Sequence, residues 1–308
     1  GADRTIDGPA ALRQKDLAGL TRFPGLSSDA GYLAERSALR ERTRASLAGC
    51  APADANPEEM EGYRTEAALR FCQTLEWVEE ALVASPGPEQ ALLETGSNPY
   101  FLTILLKERF PRLRHMGINY FESSSDLGSV VTQDVVDPLG RLTASHYPCA
   151  DVERHDLSSL GTFDVCLFCE VLEHLPFDPA WALFNLARRL KPGGRLLLST
   201  PNPARLENIR RLALHDGTKD DQISGYGIHG RHNREYTIAE LIDLCSGSGL
   251  HVRRWRTLDA CPTEWSRSAE QEAYGEYLLV EASADGPVRL HRPQWLYRSF
   301  PAGALLRD

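Results

Sequence analysis

Long apolar runs, lysine, methionine and positive charge are what this 308-residue chain has least of. No apolar stretch reaches the ~20 residues that a membrane-spanning helix needs. No basic segment followed by an apolar one opens the chain, so no export signal is read, and Gly1-Ala2 reads as a processed or engineered terminus, which leaves a removed leader open. The formal net charge of −9 speaks against a polyanion as the main partner, because nucleic-acid binding leans on a positive field. Two local basic groups, Arg205 with Arg210 and Arg211, and Arg253 with Arg254 and Arg256, read as a solvated helix face and an edge strand. Only four of the 34 basic residues are lysine (Lys15, Lys107, Lys191 and Lys219), an arginine bias that goes with a GC-rich bacterial genome. Seven cysteines make an odd number, which suits no complete disulfide framework. Cys166 and Cys169 fall in or at the end of an apolar segment, where cysteine behaves as a small hydrophobe. A reduced, cytoplasmic setting is expected.

What the chain does have is a change of rhythm near residue 90. Residues 1–30 are punctuated by Gly and Pro and are expected to form an irregular arm. Residues 31–48 have helical spacing, with Leu33, Ala34, Leu39 and Leu47 on one face. A break follows, and Asn56-Pro57 starts a second helix, with Asn as its cap and Pro in its first turn, running to about Ala84. From there strands and helices alternate. Strands are expected near 90–94, 114–119, 150–155, 164–169, 194–199, 251–257 and 276–284, and helices near 99–109, 123–133, 171–174, 178–190, 203–213 and 237–247. That alternation predicts an α/β fold, a doubly wound, mostly parallel seven-stranded Rossmann-like sheet with an N-terminal helical region. The organisation is then an arm and helical cap over 1–88, an α/β domain over 89–286, and a tail over 287–308 without predicted structure.

Residues 91–106 carry the first functional signal: a buried strand, Glu94, a turn holding Gly96, and a second apolar run with helical spacing. Such a turn lets the backbone approach a small polar ligand while the following helix directs free N–H groups at it. Four further segments follow in order. Asn119 ends a second short strand. Val152-Glu-Arg-His-Asp156-Leu157 ends a third in an acid. Phe163-Asp-Val-Cys-Leu-Phe-Cys-Glu170-Val-Leu-Glu173-His174-Leu175 is the fourth, and Leu190-Lys-Pro-Gly-Gly-Arg-Leu-Leu-Leu-Ser-Thr200-Pro-Asn202 the fifth. The series resembles the class I S-adenosylmethionine-dependent methyltransferases, especially the small-molecule group with Glu-x-Gly and Glu-His-Leu signatures, over roughly residues 90–285.

The resemblance implies S-adenosylmethionine as cofactor, bound over residues 89–286 across the C-terminal ends of the first four strands. Glu94 then begins the glycine-rich motif and Gly96 matches its first glycine. Asn98 and Tyr100 stand at the second and third, a departure that implies a wider turn in which Ser97 and Asn98 meet the methionine end. Asn119 stands where the family usually places an acid on the ribose, with Glu122 in the next turn. Asp156 and Leu157 match the adenine position, although Asp156 also reads as a simple helix cap before Ser158. Cys169 and Glu170 face the methionine portion.

Methyl transfer to an oxygen needs a positioned acceptor and a group that takes or loosens its proton. In a helical turn, Glu170, Glu173 and His174 share one face. In metal-dependent oxygen methyltransferases that this segment resembles, such a turn and a later histidine bind a divalent ion. Here Glu170, Glu173, His174 and His232 are the candidate ligands of an ion such as Mg or Mn. Glu-His-Leu also occurs across the superfamily without a metal, which leaves His174 or His232 as general base. The polar segment 202–230 reads as a lid with Tyr226 and His229 turned inward. The function expected is O-methylation of a small molecule, a sugar or other polyhydroxylated metabolite, in bacterial specialised biosynthesis. The expected partner is that acceptor, with no membrane and no nucleic acid, and a homodimer is left open. Two other readings stay open: an RNA-ribose methyltransferase, and a non-catalytic module that keeps the fold, which the missing glycines make thinkable.

Overall fold

In a computed structural model of the protein, residues 21–22, 30–52, 56–85, 87–120, 130–136, 142–148, 150–217, 227–259 and 274–297 are described. Two helices come first, α1 (Ala30–Ser46) and α2 (Pro57–Ala84). Asn56 caps α2 by accepting from the Glu58 N–H at 3.0 Å, Pro57 occupies the first turn, and Glu58 and Glu59 complement the positive helix end. At the other end, Ser85 Oγ donates to Asp164 Oδ1 at 3.0 Å and ties α2 to the sheet.

The main sheet is built from β3 (Ala91–Thr95), β4 (Arg114–Ile118), β7 (Phe163–Cys169), β8 (Leu190–Pro201), β9 (His251–Leu258) and β10 (Tyr277–Ser283). A two-residue strand, β1 (Thr21–Arg22), pairs in parallel with the edge of β9, so one piece of the predicted irregular arm joins the sheet. The order is β1-β9-β10-β8-β7-β3-β4. Strands β4, β3, β7 and β8 run parallel, and β10 is antiparallel to both of its neighbours. Six strands of ordinary length form the sheet, not seven. The strand expected at 150–155 is absent, because Asp151 folds its chain into a turn: its Oδ1 accepts from the Glu153 N–H at 2.8 Å and its carbonyl from the His155 N–H at 2.8 Å.

Alternation along the strands fills both faces. Leu93, Cys166, Phe168, Leu196 and Leu198 pack toward α4 (Pro179–Ala187) and α6 (Ile238–Gly247), while Leu92, Val165, Leu167 and Leu197 pack toward α2 and α3 (Phe101–Arg109). The doubly wound fold follows from sheet positions that are apolar on both sides. Cys166 and Cys169 stand three residues apart on one strand and so point to opposite faces, which rules them out as a paired thiol site.

A second sheet was not foreseen. The helix expected at 123–133 is a strand from residue 130, where the β-branched run Val130-Val131-Thr132 opens β5 (Val130–Val136). It pairs with β6 (Leu142–Pro148) and with the two-residue β2 (Ala51–Pro52) in a three-stranded antiparallel sheet beside β4. The helix expected at 171–174 is a short 3-10 turn, Leu172–His174, and α5 (Leu206–Ala213) starts three residues later than the spacing predicts. The tail packs back through residue 297: Asp178 accepts from Arg292 Nε at 2.9 Å and from Tyr297 Oη at 2.6 Å, and Trp295 Nε1 donates to Asp243.

Candidate active site

The chain leaves β3 and turns on Gly96 at φ +71°, a conformation that glycine alone adopts without strain. A Cβ at this position would lie 2.5 Å from Val171 Cγ2, so the turn and the segment after β7 approach as closely as a missing side chain permits. Gly96 N–H donates to Ile118 O at 2.8 Å. Asn119 then fastens the turn: Oδ1 accepts from the Asn98 N–H at 3.0 Å, and Nδ2 donates to Ser97 Oγ at 2.9 Å and to Tyr100 Oη at 3.4 Å. The sequence reading places Asn119 on the ribose; in the structure its amide is engaged by the turn. Tyr100, where the family has its third glycine, is itself held at φ +70° just before α3.

The turn opens on a cavity of about 350 Å³ at the C-terminal ends of β3, β4 and β7, where the strand order reverses direction. Open α/β sheets bind their ligands at such a point. Gly96, Asn98, Asn119 and Glu170 line it, as do Tyr120, Asp151, His174 and His229. Asp156 and Leu157 do not. Asp156 is exposed and caps its own 3-10 turn by accepting from the Ser158 N–H at 3.0 Å, and Leu157 is buried in the core. In their place Asp151 and Val152 line the cavity, Asp151 with a buried Oδ2 that pairs with Arg154 Nε at 3.4 Å and accepts no hydrogen bond among the described residues.

Glu94 lies behind the turn, 3% exposed, accepting from Thr103 Oγ1 at 2.7 Å and pairing with His115 Nε2 at 2.7 Å. Its carboxylate joins β3, α3 and β4. The strand pairing that brings His115 to Glu94 is not local, and no sequence motif marks it. Cys169 and Ser97 line a smaller adjoining pocket with Glu94, and burial pushes the Cys169 thiol up to about 11. Glu170 sits at φ +54°, unusual for a residue with a side chain, and is held there by its N–H to Ser199 O at 2.9 Å and by Ser199 Oγ donating to Oε1 at 2.6 Å.

Behind the cavity wall, Glu173, His174 and His232 each bring one ligand-type atom within 4.8 Å of the others. Glu173 is fully buried: Oε2 accepts from Thr200 Oγ1 at 2.9 Å, while Oε1 has no hydrogen-bond partner among the described residues and lies 3.8 Å from His174 Nε2. His174 Nδ1 is 3.1 Å from the Arg231 carbonyl, to which it can only donate, so Nε2 carries the lone pair toward Glu173. The two imidazoles meet edge to face, their centroids 5.0 Å apart. Burial and the Glu170 carboxylate push Glu173 up to about 8. Burial and His232 bring His174 down to about 4, and Glu235 beside His232 raises that imidazole. Glu170, a candidate ligand by sequence, is outside the group, its carboxylate turned to Ser199.

At the mouth, His229 stacks edge to face on Tyr120 at 5.2 Å and lies 6.3 Å from Phe177, which is 37% exposed. The other inward residue expected of the lid, Tyr226, lies outside the described residues with the rest of 218–226, as does Glu122. Sequence reasoning missed Tyr120, Asp151 and, on α2, Arg70. Their only local signals are adjacency to a strand end and a charged residue in the apolar stretch of a helix.

The family model described as a methyltransferase domain matches residues 70–254, more than half of the chain. The chain belongs to the class I S-adenosylmethionine-dependent methyltransferases. A ubiquinone biosynthesis O-methyltransferase of Xanthomonas oryzae pv. oryzae is 37% identical over 91 residues, 26% of this chain and 38% of the relative. A protein of Mycolicibacterium smegmatis named "Probable S-adenosylmethionine-dependent methyltransferase" is 31% identical over 112 residues, 35% of this chain and 38% of the relative. The match thus spans well under half the length of these curated relatives. Among solved structures, an S-adenosylmethionine-dependent methyltransferase from Clostridium acetobutylicum is 11% identical with a TM-score of 0.47, covering 75% of this chain and all of the other. That likeness is too slight to carry weight. Among the described residues no helix is long and apolar enough to cross a membrane.

Proposed function

We propose that this protein transfers a methyl group from S-adenosylmethionine to an oxygen of a small, polyhydroxylated acceptor such as a sugar. One observation carries the reading: His174 belongs both to the wall of the cavity and to the Glu173–His232 cluster behind it. A group able to take a proton thus stands beside the place where a cofactor would present its methyl. Gly96, Ser97 and Asn98 hold the amino-acid end of the cofactor, and Tyr120, Asp151 and Val152 face its nucleoside. Glu170 closes the site from the end of β7. The acceptor enters past Phe177 and His229, whose flat faces suit a ring. The O-methyltransferase names of several relatives point the same way. Five cysteines without disulfides among the described residues support a cytoplasmic setting.

Methyl transfer is an in-line displacement, so most of the rate comes from holding acceptor and sulfonium in line. The remainder is removal of the hydroxyl proton. His174, neutral and with Nδ1 on the Arg231 carbonyl, or the adjacent His232, which Glu235 makes more basic, would accept it. The same three residues fit a divalent cation: a buried carboxylate oxygen without a partner, and an imidazole whose tautomer is set by a backbone carbonyl. Glu173, His174 and His232 would hold it, and two imidazoles with one carboxylate suit Mn or a similar ion better than Mg. When bound, such an ion lowers the pKa of a coordinated hydroxyl. The decisive measurement is calorimetric binding of S-adenosylhomocysteine, followed by mass spectrometry of candidate acceptors for the gain of one methyl. A folded protein that does not bind S-adenosylhomocysteine refutes the reading.

A further inference from the structure

The large apolar side chains that this protein leaves on its surface gather on one edge of the sheet. Among the described residues seven are exposed, and six of them stand where the parallel strands end. Phe177 follows β7, and Ile209, Leu212, Leu214 and Ile228 follow β8. Tyr274 leads into β10, whose first residue, Tyr277, pairs with Pro201 at the end of β8. The seventh, Val83, lies at the other edge, in the last turn of α2, which Ser85 ties to Asp164 at the start of β7. The cavity opens on the edge that carries the six.

Helix α5 is turned inside out. Its one buried residue is polar: Asn208 is 2% exposed, and its Nδ2 donates to Pro203 O at 3.1 Å. Ile209 is 41% exposed, Leu212 61%, and Leu214, just past the helix, 77%, whereas a surface helix ordinarily buries its apolar stripe. The helix begins at Arg205, which pairs with both oxygens of Glu235 at 3.2 Å, and Glu235 is 3.6 Å from His232 Nδ1. From beside the histidine cluster the stripe thus runs ~12 Å along α5. Nearer the cavity stand Phe177, three residues past His174, and Ile228, whose carbonyl shares Asn233 Nδ2 with the His174 carbonyl. Apolar patches of this kind mark binding sites. An anionic lipid surface calls for free cationic side chains around the stripe, but Arg205 is paired with Glu235, and Arg211 with Glu207 and Asp216. A second copy needs about 20 residues a side, and this edge offers six. One flexible apolar chain needs only a narrow strip that continues from the place where its head is held.

We propose that the acceptor is amphipathic. Its hydroxylated end enters at His174, and an apolar chain of about ten carbons lies past Phe177 and Ile228 along the outer face of α5. Covering the stripe removes apolar surface of both chain and helix from water, so the tail supplies affinity while the cavity selects the hydroxyl. This rests on the methyl-transfer reading above and adds the other half of its substrate.

The test uses alkyl glucosides, each below its micelle concentration, on the full chain saturated with S-adenosylhomocysteine, with binding read by calorimetry. Decyl β-D-glucoside is expected to bind roughly tenfold tighter than hexyl β-D-glucoside, the effect of four methylenes each about half covered. Ile209→Gln combined with Leu212→Gln should bring the decyl compound to within about twofold of the hexyl one, with S-adenosylhomocysteine affinity unchanged. Leu214→Gln, outside the helix, should cost the decyl compound about threefold and decides the matter if the double variant does not fold. Equal binding of the two glucosides, binding of neither, or a gain with chain length that survives the substitutions overturns the subsite and leaves the cofactor site intact. So does a wild-type dimer in sedimentation that the double variant breaks, which gives the stripe to a second copy. Adsorption to phosphatidylglycerol vesicles that the double variant abolishes gives it to a lipid surface and overturns the subsite as well. A wild-type chain that binds no S-adenosylhomocysteine overturns the cofactor reading and the subsite with it.

Discussion

The two walls of the cavity are built on opposite terms. On the side of the glycine turn, the polar groups around Asn119 answer one another: the Asn98 N–H, Ser97 Oγ and Tyr100 Oη all meet one amide. On the side of Glu173, a buried carboxylate oxygen has no hydrogen-bond partner among the described residues, and two histidines have pKa values moved in opposite directions. A satisfied network holds shape, while an unsatisfied one holds reactivity that a ligand or ion must complete. Under the function proposed above, the first wall binds and the second carries the chemistry.

Substitutions should separate the two. The largest effect is expected from Gly96→Val, because a branched side chain cannot share the space of Val171 and the positive φ excludes it besides. S-Adenosylhomocysteine binding should fall below detection by calorimetry in a folded variant; retained affinity would mean that the turn is not the cofactor site. On the other wall, His232→Ala should lower turnover on the order of a hundredfold with cofactor affinity unchanged. EDTA should do the same and Mn should reverse it. Full activity in EDTA removes the ion and leaves the imidazoles as the base. Weaker again is Asn119→Ala, which loosens the turn and should reduce S-adenosylhomocysteine affinity roughly tenfold while kcat holds. A change in kcat alone would erase the contrast between the walls.

The sheet and the order of its ligand-binding turns were legible in the sequence because strand, glycine turn and helix are local patterns. Gly96, Glu170, Glu173, His174 and His232 come to the cavity or its back wall as the family pattern implies. What was not legible depends on pairing across the fold. Asp156 and Asp151 are both acids near a predicted strand, and only the turn that Asp151 makes with Glu153 and His155 puts it, rather than Asp156, at the cavity. Val130-Val131-Thr132 is a short β-branched run, and its strand character shows only when β6 lies beside it. Arg70 resembles any arginine on a helix until the sheet buries it.

The smallest expected effect lies just outside the cavity. Glu153 accepts from the Phe177 and Asp178 N–H groups, and burial pushes its carboxyl from 4.5 up to about 7. The folded state therefore keeps a proton that the unfolded chain releases above about pH 4.5, so stability falls as pH rises from there through about 7 and stays lower beyond. Glu153→Gln removes this dependence. Relative to the native chain its Tm should gain about 3–6 °C between roughly pH 5 and pH 8. A constant difference across that range would mean that Glu153 titrates normally and does not report on the wall it supports.

The way His174 and His232 are held has a consequence for how such a protein changes over time. Main-chain groups do much of the fastening: the Arg231 carbonyl fixes His174, the Glu173 carbonyl accepts from the Asn233 and Arg234 N–H groups, and Asn233 Nδ2 donates to the His174 and Ile228 carbonyls, each at 2.8 Å. Asn233 contributes a side chain to that clamp, and Arg231 Nε orients it by donating to its Oδ1 at 3.0 Å. The side chains at 228–230 can therefore be exchanged by mutation to suit a differently shaped acceptor, while His174 stays where the backbone has put it and His232 stays beside Glu235.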